Sequence, residues 1–413
     1  MTSIRKGLLQ LVFSGSYMKR WNDKLRPMEL WEVDKQAHKM IVAWLLFLCN
    51  TRSMSEAQRT EVGNGIIEGG LFEYFYRLVI TDIKPPVFYQ IKANPEHYEQ
   101  LTKWVLSQLH PRVRPLGGAF WERLEAYFLL PSEHTLAEDI LEAAHMWASS
   151  WEFQLIKGVN PWDDELEAIE ANFAEKLQAK SHLHGVSEIT AGPHSALGRL
   201  AHLCGQLRFQ KRWSQIPRIP ETSVLGHMFI VASYAFCMNL VLETGQRRRM
   251  NTFFSGLFHD LPELLTRDII SPVKRSVQPI GEMIKEYEEQ ELTRRVLSPL
   301  QSGGHSDVAK TLSYYLGLEA GSEFADTVRE NGVVRRVEWD NFANQWDRDE
   351  LDPKDGRVVK VCDHLAAFIE AYTSTRNGIN TDQLQQALWR LRSQYSQVSL
   401  GELHIGALLA DFD

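Results

Sequence analysis

The sequence predicts an all-α protein built as two related helical halves. Three observations carry this. Helical periodicity runs through almost every segment, strand-like alternation between turn residues is scarce, and four motifs recur in the same order in both halves.

With 413 residues the chain has length for two or three ordinary domains. Hydrophobic residues make up 44% and charged residues 24%, a balance that supports packed cores and argues against a disordered chain. A net charge of −8 argues against a broad nucleic-acid-binding surface. It leaves room for a phosphorylated small molecule held locally by a metal and a few basic groups. Cys49, Cys204, Cys237 and Cys362 include no CxxC pair and read as free thiols in a reducing compartment. The N-terminal apolar run is short, is interrupted by Gln10, and reads as a first helix rather than a leader. Met40 to Cys49 is too short to span a bilayer. The expectation is a cytoplasmic protein with neither membrane nor nucleic acid as a partner.

In chain order, amphipathic stretches predict helices over Glu99–Leu109, Thr135–Ile156, Asp164–Ala179 and Ser195–Arg212. Further ones follow over Leu225–Leu242, Ile284–Leu300, Val358–Ser374 and Thr381–Tyr395. Arg247-Arg248-Arg249 reads as a solvated turn after Gly245, and the aromatic cluster Phe72–Tyr76 as core.

The repeat begins with Glu32–Phe47 (EVDKQAHKMIVAWLLF) and Glu221–Phe236 (ETSVLGHMFIVASYAF), which align without a gap. An Arg-Trp pair precedes each copy, Arg20-Trp21 and Arg212-Trp213. Gly70–Val87 then parallels Gly256–Val273, Leu101–Leu109 parallels Leu292–Leu300, and Gly158-Val159-Asn160 parallels Gly378-Ile379-Asn380. The order predicts a tandem duplication, with domains 1–188 and 189–413 divided near the turn-rich His184–Pro193. Two such copies are expected to pack as an internal pseudo-dimer, and a homo-oligomer is left open.

The chemistry concentrates around Asn251–Lys274, NTFFSGLFHDLPELLTRDIISPVK. Up to Leu265 its apolar residues recur at helical spacing, which predicts one continuous helix with Glu263 one turn beyond His259 on the same side. His227, His259, Asp260 and Asp363 form a candidate metal set carried on three helices. Asp363 sits in the apolar run VVKVCDHLAAFI, where a carboxylate is costly to bury without a partner. Mixed His/Asp ligation suits one divalent ion, Mn, Co, Fe, Zn or Mg, without choosing among them.

The ordered set His227, His259-Asp260, Asp363 resembles the HD-domain metal-dependent phosphohydrolases. Arg212-Trp213 upstream, Glu263 and Asp268 within the motif, and Pro272-Val273-Lys274 after it resemble the branch of bacterial 5′-deoxynucleotidases. The resemblance implies a tandem HD-type fold whose C-terminal copy binds one divalent cation through His227, His259, Asp260 and Asp363. Glu263 and Asp268 would handle protons or position water, and Arg212, Trp213 and Lys274 would contact substrate. It implies hydrolysis of a nucleotide phosphate ester, a (deoxy)nucleoside 5′-monophosphate first of all. The alternative is a nucleotide-sensing or regulatory protein with little turnover. The branch usually carries an acid just before the first ligand histidine; Val224-Leu225-Gly226 stand there instead. In the first copy His38 aligns with His227, Glu73-Tyr74 replace His259-Asp260, Arg77 replaces Glu263, Asp82 matches Asp268, and His145 falls near Asp363. That copy reads as degenerate.

Overall fold

The computed structural model describes residues 3–130, 134–267 and 278–413. The described residues are mainly helical. Two short antiparallel ribbons, Thr327–Glu330 with Val333–Arg336 and Ser399–Leu400 with Leu403–His404, are the strands among them.

In the first half, α1 (Lys6–Phe13) leads into α2 (Glu32–Asn50) and α3 (Glu56–Ile80). Then come α4 (Pro85–Ala93), α5 (Pro95–Val113), α6 (Gly118–Leu129), α7 (Leu136–Lys157) and α8 (Leu166–Ala179). Starts follow the local chemistry. Ser55 and Thr135 each form a reciprocal capping box with Gln58 and Glu138, and Pro85 and Pro95 open their helices. The turn-rich boundary stretch holds a short helix, α9 (Val186–Thr190), whose Val186 and Ile189 are buried.

The second half runs through α10 (Ala196–Gly205), α11 (Val224–Val241), α12 (Gln246–Phe258) and the single turn α13 (Glu263–Thr266). After it come α14 (Gln278–Leu292), α15 (Ser298–Ser302), α16 (Ser306–Tyr315), α17 (Gly356–Arg376), α18 (Asp382–Tyr395) and α19 (Ile405–Ala410). α11 is long and apolar enough to cross a bilayer by composition, but 89% of that window is buried inside the protein. It is the central helix of the core.

One continuous core spans both halves. α2 packs on α11 and α3 on α12. The seam is aromatic: Trp44 meets Phe258 with ring centroids 4.6 Å apart, Tyr74 meets Phe229 at 5.0 Å, and Phe47 stacks on Phe254 at 6.4 Å. The N-terminal helices also reach across. The Leu9 carbonyl on α1 accepts from the Tyr234 hydroxyl on α11, and the Ala201 carbonyl on α10 is bonded by the His38 ring on α2.

Backbone bonds set a register between the halves that differs from the letter alignment. Arg20 N–H donates to Leu30 and Arg212 N–H to Thr222; Glu32 N–H donates to Met18 and Val224 N–H to Gln210. Trp21 and Trp213 both sit in the left-handed region, at φ 55° and 53°. Gly70 lies against Met40 as Gly256 lies against Ala232. In this register Lys35, not His38, stands where His227 stands. The letter match was off by three residues because an apolar helix keeps nearly the same buried stripe after a shift of about one turn.

Two further expectations change. Arg247–Arg249 lie within α12, not on a solvated turn, and Arg249 donates to the Thr244 carbonyl. Arg247 pairs with Asp352, and the buried Arg248 pairs with Asp347 and Asp355 while stacking on Phe342. These pairs tie α12 to the long 316–355 connection. The predicted continuous helix to Leu265 ends instead at Phe258, and the bonds Leu261 to Phe258, Glu263 to Asp260 and Leu264 to Leu261 tighten the chain into a turn around Pro262.

Asp34 is buried at the seam, where it accepts from the Ser223 hydroxyl at 2.6 Å. Burial raises its pKa from 3.8 to about 6, against the pull of Arg208 and the Ser223 bond. Because the folded value lies above the unfolded one, this group's stabilisation is full below about pH 4 and is lost as pH rises through about 6. Asp34→Asn should therefore raise stability at pH 7 by roughly 1–3 kcal/mol and flatten the pH 4–6 dependence, as read by urea unfolding at several pH values.

Candidate metal centre

Three helices bring the site together. α11 carries His227 one turn from its start, where Ser223 caps the helix through the Gly226 N–H. α12 ends at Phe258, so His259 and Asp260 fall on the turn rather than on a helix face. α17 carries Asp363 and, two turns on, Glu370.

One ligand atom each from His227, His259 and Asp363 lies within 4.8 Å of the others. His227 Nε2 is 3.0 Å from Asp363 Oδ1 and 3.7 Å from Asp260 Oδ2, and His259 Nε2 is 3.3 Å from Asp260 Oδ2. All four sequence-predicted ligands thus converge. His227 and His259 are buried and the aspartates half-buried, and the Phe324 ring lies 6.2 Å from His259 as an apolar wall.

The donor set fits a divalent cation. His259 Nδ1–H donates to the Gly256 carbonyl at 2.8 Å, which turns Nε2 toward the carboxylates. That buried Nε2 has no hydrogen-bond partner of acceptable geometry. Burial works against charge on His259, but Asp260 and Asp363 outweigh it and push the imidazole up to about 9. Asp260 is held low by His259 and Arg212 despite its burial. The cluster is a concentrated negative site that calls for positive charge.

The other predicted residues fall in three groups. Arg212 sits inside the cluster, 3.2 Å from Asp260, 3.5 Å from Glu370 and 4.0 Å from Asp363. Trp213 donates its indole N–H to Glu370 at 2.9 Å. Glu263 lies on α13, buried, and close enough to Arg212 to raise its pKa. Asp268 and Lys274 lie outside the described residues.

Sequence reasoning missed Glu370. It is fully buried, accepts from Trp213, Thr222 and Arg212, and faces His227 Nδ1 at 3.7 Å. It therefore places a negative charge behind the ring whose other nitrogen faces the ligand cluster. A signal existed: Glu370 follows Asp363 by seven residues, as Glu152 follows His145, each in an amphipathic helix. Glu152 makes the matching bonds, accepting from the Trp21 indole at 3.1 Å and from Arg20 at 2.7 Å.

The first half does not repeat the ligand set. His38 turns away, bonded to Ala201 and Arg208 and packed edge-on to Trp147 and Trp151. In its stead Lys35 Nζ lies 2.8 Å from His145 Nδ1, mirroring His227 against Asp363, and Lys39 holds Glu73. A cation does not fit among two ammonium groups, so His38, Glu73 and His145 do not gather as a second metal set.

Residues 204–392 match the family model described as an HD domain. HD domains are a superfamily of metal-dependent hydrolases, and the matched span contains His227, His259, Asp260 and Asp363. No curated protein and no solved structure matches the chain.

Replacing Glu370 by Gln should lower metal affinity by about 10–100-fold through loss of the carboxylate facing His227, while Asp363→Ala should abolish binding. Titration of the metal-free protein with Mn²⁺ followed by calorimetry checks both.

Proposed function

We propose that the C-terminal half is a phosphohydrolase that cleaves a phosphate ester of a nucleotide, most simply a nucleoside or deoxynucleoside 5′-monophosphate. The observation that carries the reading is the convergence of two imidazoles and two aspartates beside a buried acid, Glu263, and one fixed guanidinium. When bound, a divalent cation would supply an acidified water and neutralise charge on a phosphoryl oxygen.

His227, His259, Asp260 and Asp363 would hold that ion. Glu370 stands behind the His227 ring, and His259 turns its Nε2 to the site by donating through Nδ1 to Gly256. Arg212, fixed by Glu370, balances the carboxylates and offers positive charge where phosphoryl charge develops. Glu263 takes the proton from attacking water or gives one to the leaving oxygen. Asp268 is proposed to share that work, and Lys274 to contact phosphate. Trp213 is proposed to line the sugar or base side, although its N–H is directed to Glu370. The matched register, the paired Arg-Trp-Glu bonds and the paired left-handed tryptophans support a tandem duplication, with domains 1–188 and 189–413 and the catalytic site kept only in the second copy.

A nucleotide panel with Mn²⁺, Co²⁺ or Mg²⁺ tests the proposal through phosphate release. Turnover is expected for at least one monophosphate and is abolished by Asp260→Ala. Glu263→Gln should lower kcat by about 10²–10⁴-fold with metal content unchanged. Binding without release from any nucleotide would establish the regulatory reading instead.

A further inference from the structure

The first half keeps a pocket where the second half keeps its metal ligands. A cavity of about 890 Å³ opens among α2, α3, α4, α5, α6, α7 and α8. Its floor includes Lys35, His145, Glu73 and Arg77, and its walls include Tyr76, Phe88, Tyr98 and Tyr127. The volume lies in the range of small-molecule sites, and the lining has their usual make-up of aromatic walls with a few convergent polar groups.

The floor inverts the charge logic of the metal centre. Lys35 occupies the place of His227, and Arg77 aligns with Glu263 in the sequence repeat. Lys35 is 1% exposed; it contacts the neutral-type partner His145 at 2.8 Å, and its nearest carboxylate, Glu32, is 3.9 Å away. Glu32 is already engaged by Arg20 at 2.7 Å and by Gln36 at 2.7 Å. Glu73 is taken by Lys39 and the Tyr127 hydroxyl. Arg77 reaches Glu32 only at 3.6 Å and Asp82 at 3.4 Å. Two fixed cations thus face the cavity with their carboxylate partners distant or shared. Burial accordingly lowers Lys35 to about 7, a loss that an anion in the cavity would reverse.

We propose that this cavity is a metal-free binding site for a small molecule with an anionic head and a flat ring, the chemistry of a nucleoside phosphate. The head rests on the Lys35 ammonium and the Arg77 guanidinium, and the ring lies among the aromatic walls. Charge-assisted bonds from both cations hold the head without a divalent ion. Replacement of the acid position by Arg77 leaves the site without the proton-handling carboxylate of the other half, so it holds its ligand without hydrolysing it.

Calorimetry on the full chain in excess chelator tests this, using the His259→Ala/Asp363→Ala double variant so that the metal centre contributes nothing. The probes are inorganic phosphate, pyrophosphate and the four deoxynucleoside monophosphates. Saturable binding of a monophosphate at one site per chain is expected, tighter than that of inorganic phosphate. Lys35→Met and Arg77→Ala should each weaken it about tenfold or more. Arg77 is partly exposed, so its variant keeps the test valid should Lys35→Met not fold. No saturable binding of any probe, or binding that neither substitution alters, overturns the proposal. Because metal is absent throughout, the result is independent of whether the second half hydrolyses anything.

Discussion

Everything in the second half hangs on one buried carboxylate. Glu370 gathers Arg212, Trp213, Thr222 and the far side of His227 around two oxygens, with no water needed to satisfy it. A buried acid without such partners would be costly; with them it becomes a rigid knot that fixes the entry loop to α11 and the tilt of the His227 ring. Burial opposes its charge, but Arg212 and Arg218 hold it well below the usual carboxylate range. Glu152 ties the equivalent knot with Arg20, Trp21 and Arg208. The same knot stands in both halves, whereas, among the described residues, the cluster of two histidines and two aspartates stands in only one.

From that frame the two halves diverge by charge. In the second, two histidines and two aspartates leave an excess of negative charge that suits a cation. In the first, Lys35, Lys39 and Arg77 turn the same volume positive, and the helix that stops at Phe258 in one half continues to Ile80 in the other. That continuation matters geometrically. Tyr74, which stands in line with Asp260, stays on the helix and sends its hydroxyl to the Val12 carbonyl, away from the pocket.

Much of this was legible in the sequence because it depends on periodicity and on ordered polar residues. The helices over Thr135–Ile156, Leu225–Leu242 and Thr381–Tyr395 fall within a residue of their predicted ends, since caps at Thr135, Ser223 and Thr381 mark the starts. The convergence of the four candidate ligands was legible because His227 and Asp363 interrupt apolar runs where a lone polar group is expensive. Three things were not. The break after Phe258 is set by Pro262 acting with tertiary contacts, and apolar spacing alone reads straight through it. The register of α2 against α11 is fixed by backbone bonds such as Glu32 to Met18 and Val224 to Gln210, invisible to letter matching along apolar helices. Glu370 lay unread because one acid on a long helix looks like surface until the partners that bury it are known.

The central claim is that the α11, α12 and α17 side chains enclose a single cation. The most direct test is an anomalous-difference map from crystals of the full chain grown with Mn²⁺. The account predicts one strong peak bounded by His227, His259, Asp260 and Asp363. A map with no peak there, or with manganese bound only at surface acids such as those beside His134, would contradict it.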